Sequence, residues 1–356
     1  MRIFLHHFVI DFKDSPSYNA ATMTGKERIV ATLEHRKPDS LALMPVTMMA
    51  AADAIGAAYR RYATEAPVLA EGQSAIAAAF DFDHLSAVSD PAVEAADCGA
   101  RVVYYEDQPP AIDEGASVLL DKAQLLQLRA PEPAEGRRMR NRLRAVQLLK
   151  EKAAGEKLIE GWVEGPCAEA ADLRGINRLM VDFFDDPRFV KDLFDFVTEL
   201  GIRFARAQVR AGADSVAIGD AAASLVGPEL YRRFIYPCER RLVDAVRAAG
   251  ARVRLHICGD ISAILEQVGS LGVDILDLES MVSMAGAREK CGEAQVLLGN
   301  IDPVRILQRG TPEVVRSALE ECRRQAGALY IVGAGCEVPR GTPRENLLAL
   351  RDFARG

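Results

Sequence analysis

Short apolar runs, each ending in polar or glycine residues, recur along the chain and alternate with stretches whose apolar positions fall at helical spacing. Eight such runs stand out, at residues 41–46, 84–88, 158–163, 215–218, 252–258, 275–278, 296–299 and 330–332. Between them the pattern predicts helices. The first opens at Thr24, with Glu27 three residues on in capping-box spacing, and stops at Pro38. Others are expected over 136–155, 187–211, 228–249, 262–268, 312–325 and 343–353. Residues 100–135 form a strand or hairpin excursion outside the repeat. Alternation of this kind implies parallel strands joined by helical crossovers. Eight units predict an α/β fold closed as a (β/α)8 TIM barrel, whose site is built at the carboxyl ends of the strands. An open doubly wound sheet is the alternative, but no G-x-G-x-x-G follows any run. A single domain is expected over 23–356, with 1–22 an N-terminal extension and Met23 a natural start.

In order, the expected strand ends present Thr47, Asp90, Glu164, Asp220, His256 with Cys258, Glu279, Asn300 with Asp302, and Cys336. Side chains two apart on a strand share a face, so His256 and Cys258 project together where the run opens at Gly259. An imidazole and a thiol so placed supply half of a tetrahedral zinc site. Cys336, in a glycine-rich turn after the last apolar run, is the candidate third ligand. The competing reading is a buried thiol beside a hydrogen-bonded histidine. Among the acids, helix capping competes with function, and Asp302 before Pro303 has the plainest cap pattern. Glu164 is followed by Gly165-Pro166, which lets a backbone or ligand approach closely. Glu164 and Asp220 are the first candidates for substrate contacts, with Asp90 and Glu279 behind them.

Composition narrows the classes. The chain of 356 residues is 49% apolar, ample for one large core, and its net charge of −7 leaves no footprint for nucleic acid. No apolar run approaches the roughly 18 residues of a membrane span. The odd count of seven cysteines argues for reduced thiols in the cytoplasm. The apolar patch near the N-terminus is broken by Asp11, Lys13 and Asp14, unlike a secretory signal. Neither a phosphate-binding loop nor a G-x-S-x-G elbow is present.

With these residues placed, the chain resembles the uroporphyrinogen decarboxylase superfamily over 24–355. The matching pieces are Thr24-Gly25-Lys26-Glu27-Arg28, Glu164-Gly165-Pro166, the Asp220 strand end, Gly299-Asn300-Ile301-Asp302-Pro303 and Pro343-Arg344-Glu345-Asn346-Leu347. His256-Ile257-Cys258-Gly259 with Cys336 is similar to the zinc pattern of the cobalamin-dependent methyltransferase branch. That resemblance implies Zn²⁺ on His256, Cys258 and Cys336, and methyl transfer between a small donor or acceptor (a thiol, or a methoxylated or methylated compound) and cobalamin on a partner corrinoid protein. It admits a homodimer. Decarboxylases instead carry an Arg-Gln-Ala-Gly-Arg run and a C-terminal Gly-His-Gly turn. Here Pro45-Val46-Thr47-Met48-Met49-Ala50 has no arginine, and Gly335-Cys336-Glu337 replaces the turn. Asp90 matches the decarboxylase aspartate without those arginines. Uroporphyrinogen decarboxylation and a non-catalytic zinc-bearing barrel remain the alternatives.

Overall fold

The computed structural model describes residues 23–356, so the 1–22 extension lies outside the described residues. Seven parallel strands form one curved sheet, ordered β1 (His84–Ser86), β4 (Leu158–Glu164), β5 (Ser215–Gly219), β6 (Arg252–Ile257), β7 (Ile275–Leu278), β8 (Val296–Leu298) and β9 (Tyr330–Ile331). The excursion contains the antiparallel pair β2 (Val102–Val103) and β3 (Ala111–Ile112). The run at 41–46 is the eighth stave of a TIM-type barrel, but not as a regular strand. It makes a parallel bridge from Leu43 to Val332 on one side, and on the other the Asp83 N–H donates to the Leu43 carbonyl at 3.0 Å. Two features deny it a ladder. Pro45 has no N–H, and the Leu43 N–H donates to the Asp83 carboxylate at 2.7 Å.

The barrel interior is layered. At the amino end Ala42, Met44, Leu158, Ile275, Val296, Leu298 and Ile331 pack together, and the helix Gly25–Leu33 closes that end with Ile29 and Leu33. Fully burying each of the larger side chains stabilises the fold by about 1.5–3 kcal/mol. The Thr24–Glu27 capping box starts this helix as expected. Above the apolar layer lies a charged one: Arg254 on β6 donates to Asp277 on β7 at 2.7 Å and to Glu160 on β4 at 3.2 Å. Above that layer the strands open into the loops that carry the site.

One expected helix is broken. Residues 228–249 form Pro228–Leu230, a wide turn at Tyr231–Ile235 and then the helix Tyr236–Ala248. Pro237 cannot donate to the carbonyl four residues back, which widens the preceding turn. Among the described residues no helix is long and apolar enough to cross a membrane.

Candidate metal centre

β6 carries His256 near its carboxyl end, and Cys258 is the first residue beyond the strand. Gly259, at φ +87°, turns the chain there. Cys336 arrives from the loop after β9. That loop packs closely on the loop after β7, for a Cβ at Gly335 would lie 2.5 Å from the Ser280 nitrogen. His256, Cys258 and Cys336 thereby bring their ligand atoms within 4.8 Å of one another. Among the described residues no other group of three or more His, Cys, Asp or Glu does so. His256 Nε2 sits 3.3 Å from Cys258 Sγ, and Nδ1 sits 3.1 Å from Asp277 Oδ2. Zinc bonds of about 2.0 Å to nitrogen and 2.3 Å to sulfur put tetrahedral ligand atoms roughly 3.5–4 Å apart, so the donor set fits the metal in number, type and spacing.

Asp277 gives the imidazole its orientation. Burial disfavours the imidazolium most strongly of any single influence, but the Asp277 carboxylate and Cys336 together outweigh it and raise His256 to about 10. A metal at Nε2 would therefore displace a proton, with the Asp277 carboxylate 3.1 Å from Nδ1 on the other side of the ring. Burial pushes the Asp277 carboxyl up, and Arg254 with His256 brings it below the ordinary aspartate value.

The structure gives the acidic candidates different surroundings. Asp220 is fully buried and accepts from the backbone N–H groups of Cys167 at 3.2 Å and Ala168 at 2.7 Å, in the first turn of the helix Pro166–Arg174. Gly165 is needed for this contact, since a Cβ there would lie 2.3 Å from the Asp220 Cβ. The close approach expected at Gly165-Pro166 is thus an approach by Asp220. Asp302 caps the turn that follows it through the Val304 and Arg305 N–H groups, at 2.9 and 2.7 Å. Asp90 is buried against Arg138 at 2.6 Å and the Ser89 hydroxyl at 2.7 Å. Glu279 is half-buried and accepts from the Ser280 N–H, while Asn300 pins that loop by donating to the Glu279 and Val282 carbonyls. Glu164 stands at the end of β4 and accepts from Trp162 Nε1–H at 3.2 Å. Burial pushes its carboxyl well above the usual range, and Glu94 and Asp172 push it further. Cys167 is buried in the start of the helix Pro166–Arg174, and none of the seven cysteines is in a disulfide.

Sequence reading passed over Glu160, Arg254 and Asp277, the layer beneath the triad. Their signal was a charge at inward parity in an otherwise apolar run, as Arg254 stands to His256 and Glu160 to Glu164. It also passed over Glu94, Glu169 and Asp172, which lie on helices or their flanks and declare no common site in one dimension.

Comparison with known proteins agrees with this architecture. The family model described as uroporphyrinogen decarboxylase (URO-D) matches residues 24–356. Methylcobamide:CoM methyltransferase MtbA of Methanosarcina acetivorans is 29% identical over 340 residues, covering 93% of this chain and 98% of that one. Methylcobamide:CoM methyltransferase MtaA of Methanosarcina barkeri is 28% identical over 345 residues, covering 92% and 96%. A uroporphyrinogen decarboxylase of Synechococcus is 29% identical over a shorter 209 residues, 56% of this chain and 58% of that one. Among solved structures, a methyltransferase from Methanosarcina mazei superposes with a TM-score of 0.81 at 24% identity, over 93% of this chain and 98% of the other. The chain belongs to the uroporphyrinogen decarboxylase family.

Proposed function

We propose that the protein transfers a methyl group between a thiol and a corrinoid carried by a partner protein, with zinc held by His256, Cys258 and Cys336. The observation that carries this reading is the convergence of one imidazole and two thiols at the barrel mouth, in a chain aligned end to end with proteins named methylcobamide:CoM methyltransferases. When bound, zinc would supply Lewis acidity, lowering the pKa of a thiol so that its sulfur is nucleophilic at neutral pH. The chain's own residues do the rest. Asp277 fixes the imidazole with Nε2 toward the two sulfurs, and Arg254 keeps Asp277 ionised beneath it. Three protein donors leave a fourth position for substrate, the arrangement of catalytic zinc. In the transfer a C–S bond forms as the Co–C bond breaks, both electrons of that bond stay on cobalt, and the thiol proton leaves to solvent. The reading places the protein in the cytoplasm, where its thiols stay reduced.

Decarboxylation is disfavoured by the same residues. A porphyrinogen with several carboxylates calls for bidentate arginine donors, and none stands in residues 45–50. Asp90 is committed to Arg138 inside the protein. The test is to incubate zinc-loaded protein with methylcobalamin and short thiols, following the cobalamin spectrum, and separately with uroporphyrinogen, following CO₂. Thiol-dependent demethylation with no CO₂ release is expected. Release of CO₂ with an unchanged cobalamin spectrum would overturn the assignment.

A further inference from the structure

Trp162, Gly219 and Glu164 make a built surface beside the metal centre that none of the chemistry above uses. Glu164 on β4 pairs in register with Gly219 on β5, and Gly219 pairs with His256 on β6. Strands lie about 4.8 Å apart, so the Glu164 and His256 backbones are roughly 10 Å apart with only a glycine between them. The missing side chain is replaced from the neighbouring strand. A Cβ at Gly219 would meet Trp162 Cζ2 at 2.9 Å and Nε1 at 3.0 Å, so the indole leans across β5 toward the strand that carries His256. Its Nε1–H donates to Glu164 Oε1 at 3.2 Å, which fixes the tilt of the ring. Glu160, Trp162 and Glu164 share the inward face of β4, and of the three Trp162 is the one that is half-buried while both glutamates are buried. An indole so held presents apolar surface among the polar strand ends.

We propose that Trp162 is the specificity-determining wall of the thiol site, taking the carbon chain of a short alkyl thiol whose sulfur lies beside His256, Cys258 and Cys336. The inference rests on the thiol reading and adds to it the surface that recognises the part of the substrate not undergoing reaction. Apolar carbon against an indole face is removed from water, and the same contact keeps water from the sulfur. Gly219 is part of the device because any side chain there would displace the ring. Glu164 is part of it because its carboxyl oxygen anchors Nε1–H.

The chain has a single tryptophan, so its fluorescence reports Trp162 alone. Zinc-loaded protein is titrated with 2-mercaptoethanol and with ethanethiol, by calorimetry and by tryptophan emission. The expected result is a saturable change of emission whose midpoint matches the calorimetric one. Trp162→Leu should raise KM for ethanethiol about tenfold, by loss of apolar burial, with kcat and zinc content kept. Gly219→Ala should act in the same direction and add little in the Trp162→Leu background, because both changes remove one contact. Thiol that binds by calorimetry while emission stays unchanged, or an emission change produced only by methylcobalamin, would overturn the assignment of the wall. Absence of any thiol binding to zinc-loaded wild-type protein would instead overturn the thiol reading beneath it. The wild-type titration decides the matter even where a variant fails to fold.

Discussion

Two sectors of the barrel mouth bury ionisable groups, and they do so in opposite ways. Under the metal centre the signs alternate: Glu160, Arg254, Asp277 and His256 follow one another across β4, β6 and β7, with Arg254 fully buried. Around the end of β4 the groups are all acids: Glu94, Glu164, Glu169 and Asp172. Both Glu169 oxygens and Asp172 Oδ2 are buried with no hydrogen-bond partner. Burial pushes Glu94 to about 7, against backbone hydrogen bonds that lower it and with Asp90 and Asp97 adding to it. Burial, then Glu94 and Asp90, pushes Asp172 to about 8, while burial and neighbouring acids raise Glu164 and Glu169 well above the ordinary value. In the alternating sector each charge stands against an opposite one. The acidic sector keeps protons near neutral pH, and its state depends on the medium. Charge order, more than burial, separates a paired support from a titrating one.

The contrast can be broken most forcefully at its centre. Arg254→Met leaves the Glu160 and Asp277 carboxyls without their counter-charge and should cost about 3–5 kcal/mol of stability in urea denaturation. A loss below about 1 kcal/mol would show that the alternating sector does not depend on its arginine. Asp277→Asn is milder, keeping shape and removing charge. Chelator competition should then show zinc affinity falling by about 10- to 100-fold, and unchanged affinity would mean that His256 needs no carboxylate behind it.

The acidic sector is tested by pH. An acid whose folded pKa is raised contributes stability that is fully present below its unfolded value, near 4, and is lost as pH rises through the folded value, about 8 for Asp172. Wild-type stability should therefore fall between pH 5 and 8. Asp172→Asn should match wild type at pH 5 and exceed it at pH 8 by about 1 kcal/mol, a figure discounted for the partial exposure of this residue. Urea denaturation at both pH values checks it. A variant less stable than wild type at pH 8 would reverse the sign and show these carboxyls to be ionised in the native protein.

What sequence made legible was what lies along a strand. The recurrence of apolar runs was enough for the barrel, and the spacing of His256 and Cys258 was enough to bring those two side chains together. The 41–46 run was legible as a stave, though its irregularity came from the Asp83 carboxylate, some 40 residues away. What stayed hidden lies across strands. Arg254 meets Asp277 and Glu160 only through the register of β4 to β7, which no local pattern states. Asp220 reads as a strand-end acid, yet it reaches sideways to the helix that follows a different strand, and that contact explains Gly165. Gly219 says nothing until Trp162 is seen in its place. Parity is a property of one segment, whereas register belongs to two.

The account stands on three ligands holding one metal. The most direct measurement is zinc content per chain in wild type, Cys258→Ala and Cys336→Ala, purified alike and checked for native circular dichroism. One zinc per chain in wild type, with loss from both folded variants, is the predicted result. Stoichiometric zinc retained by both variants would place the metal elsewhere and contradict the account.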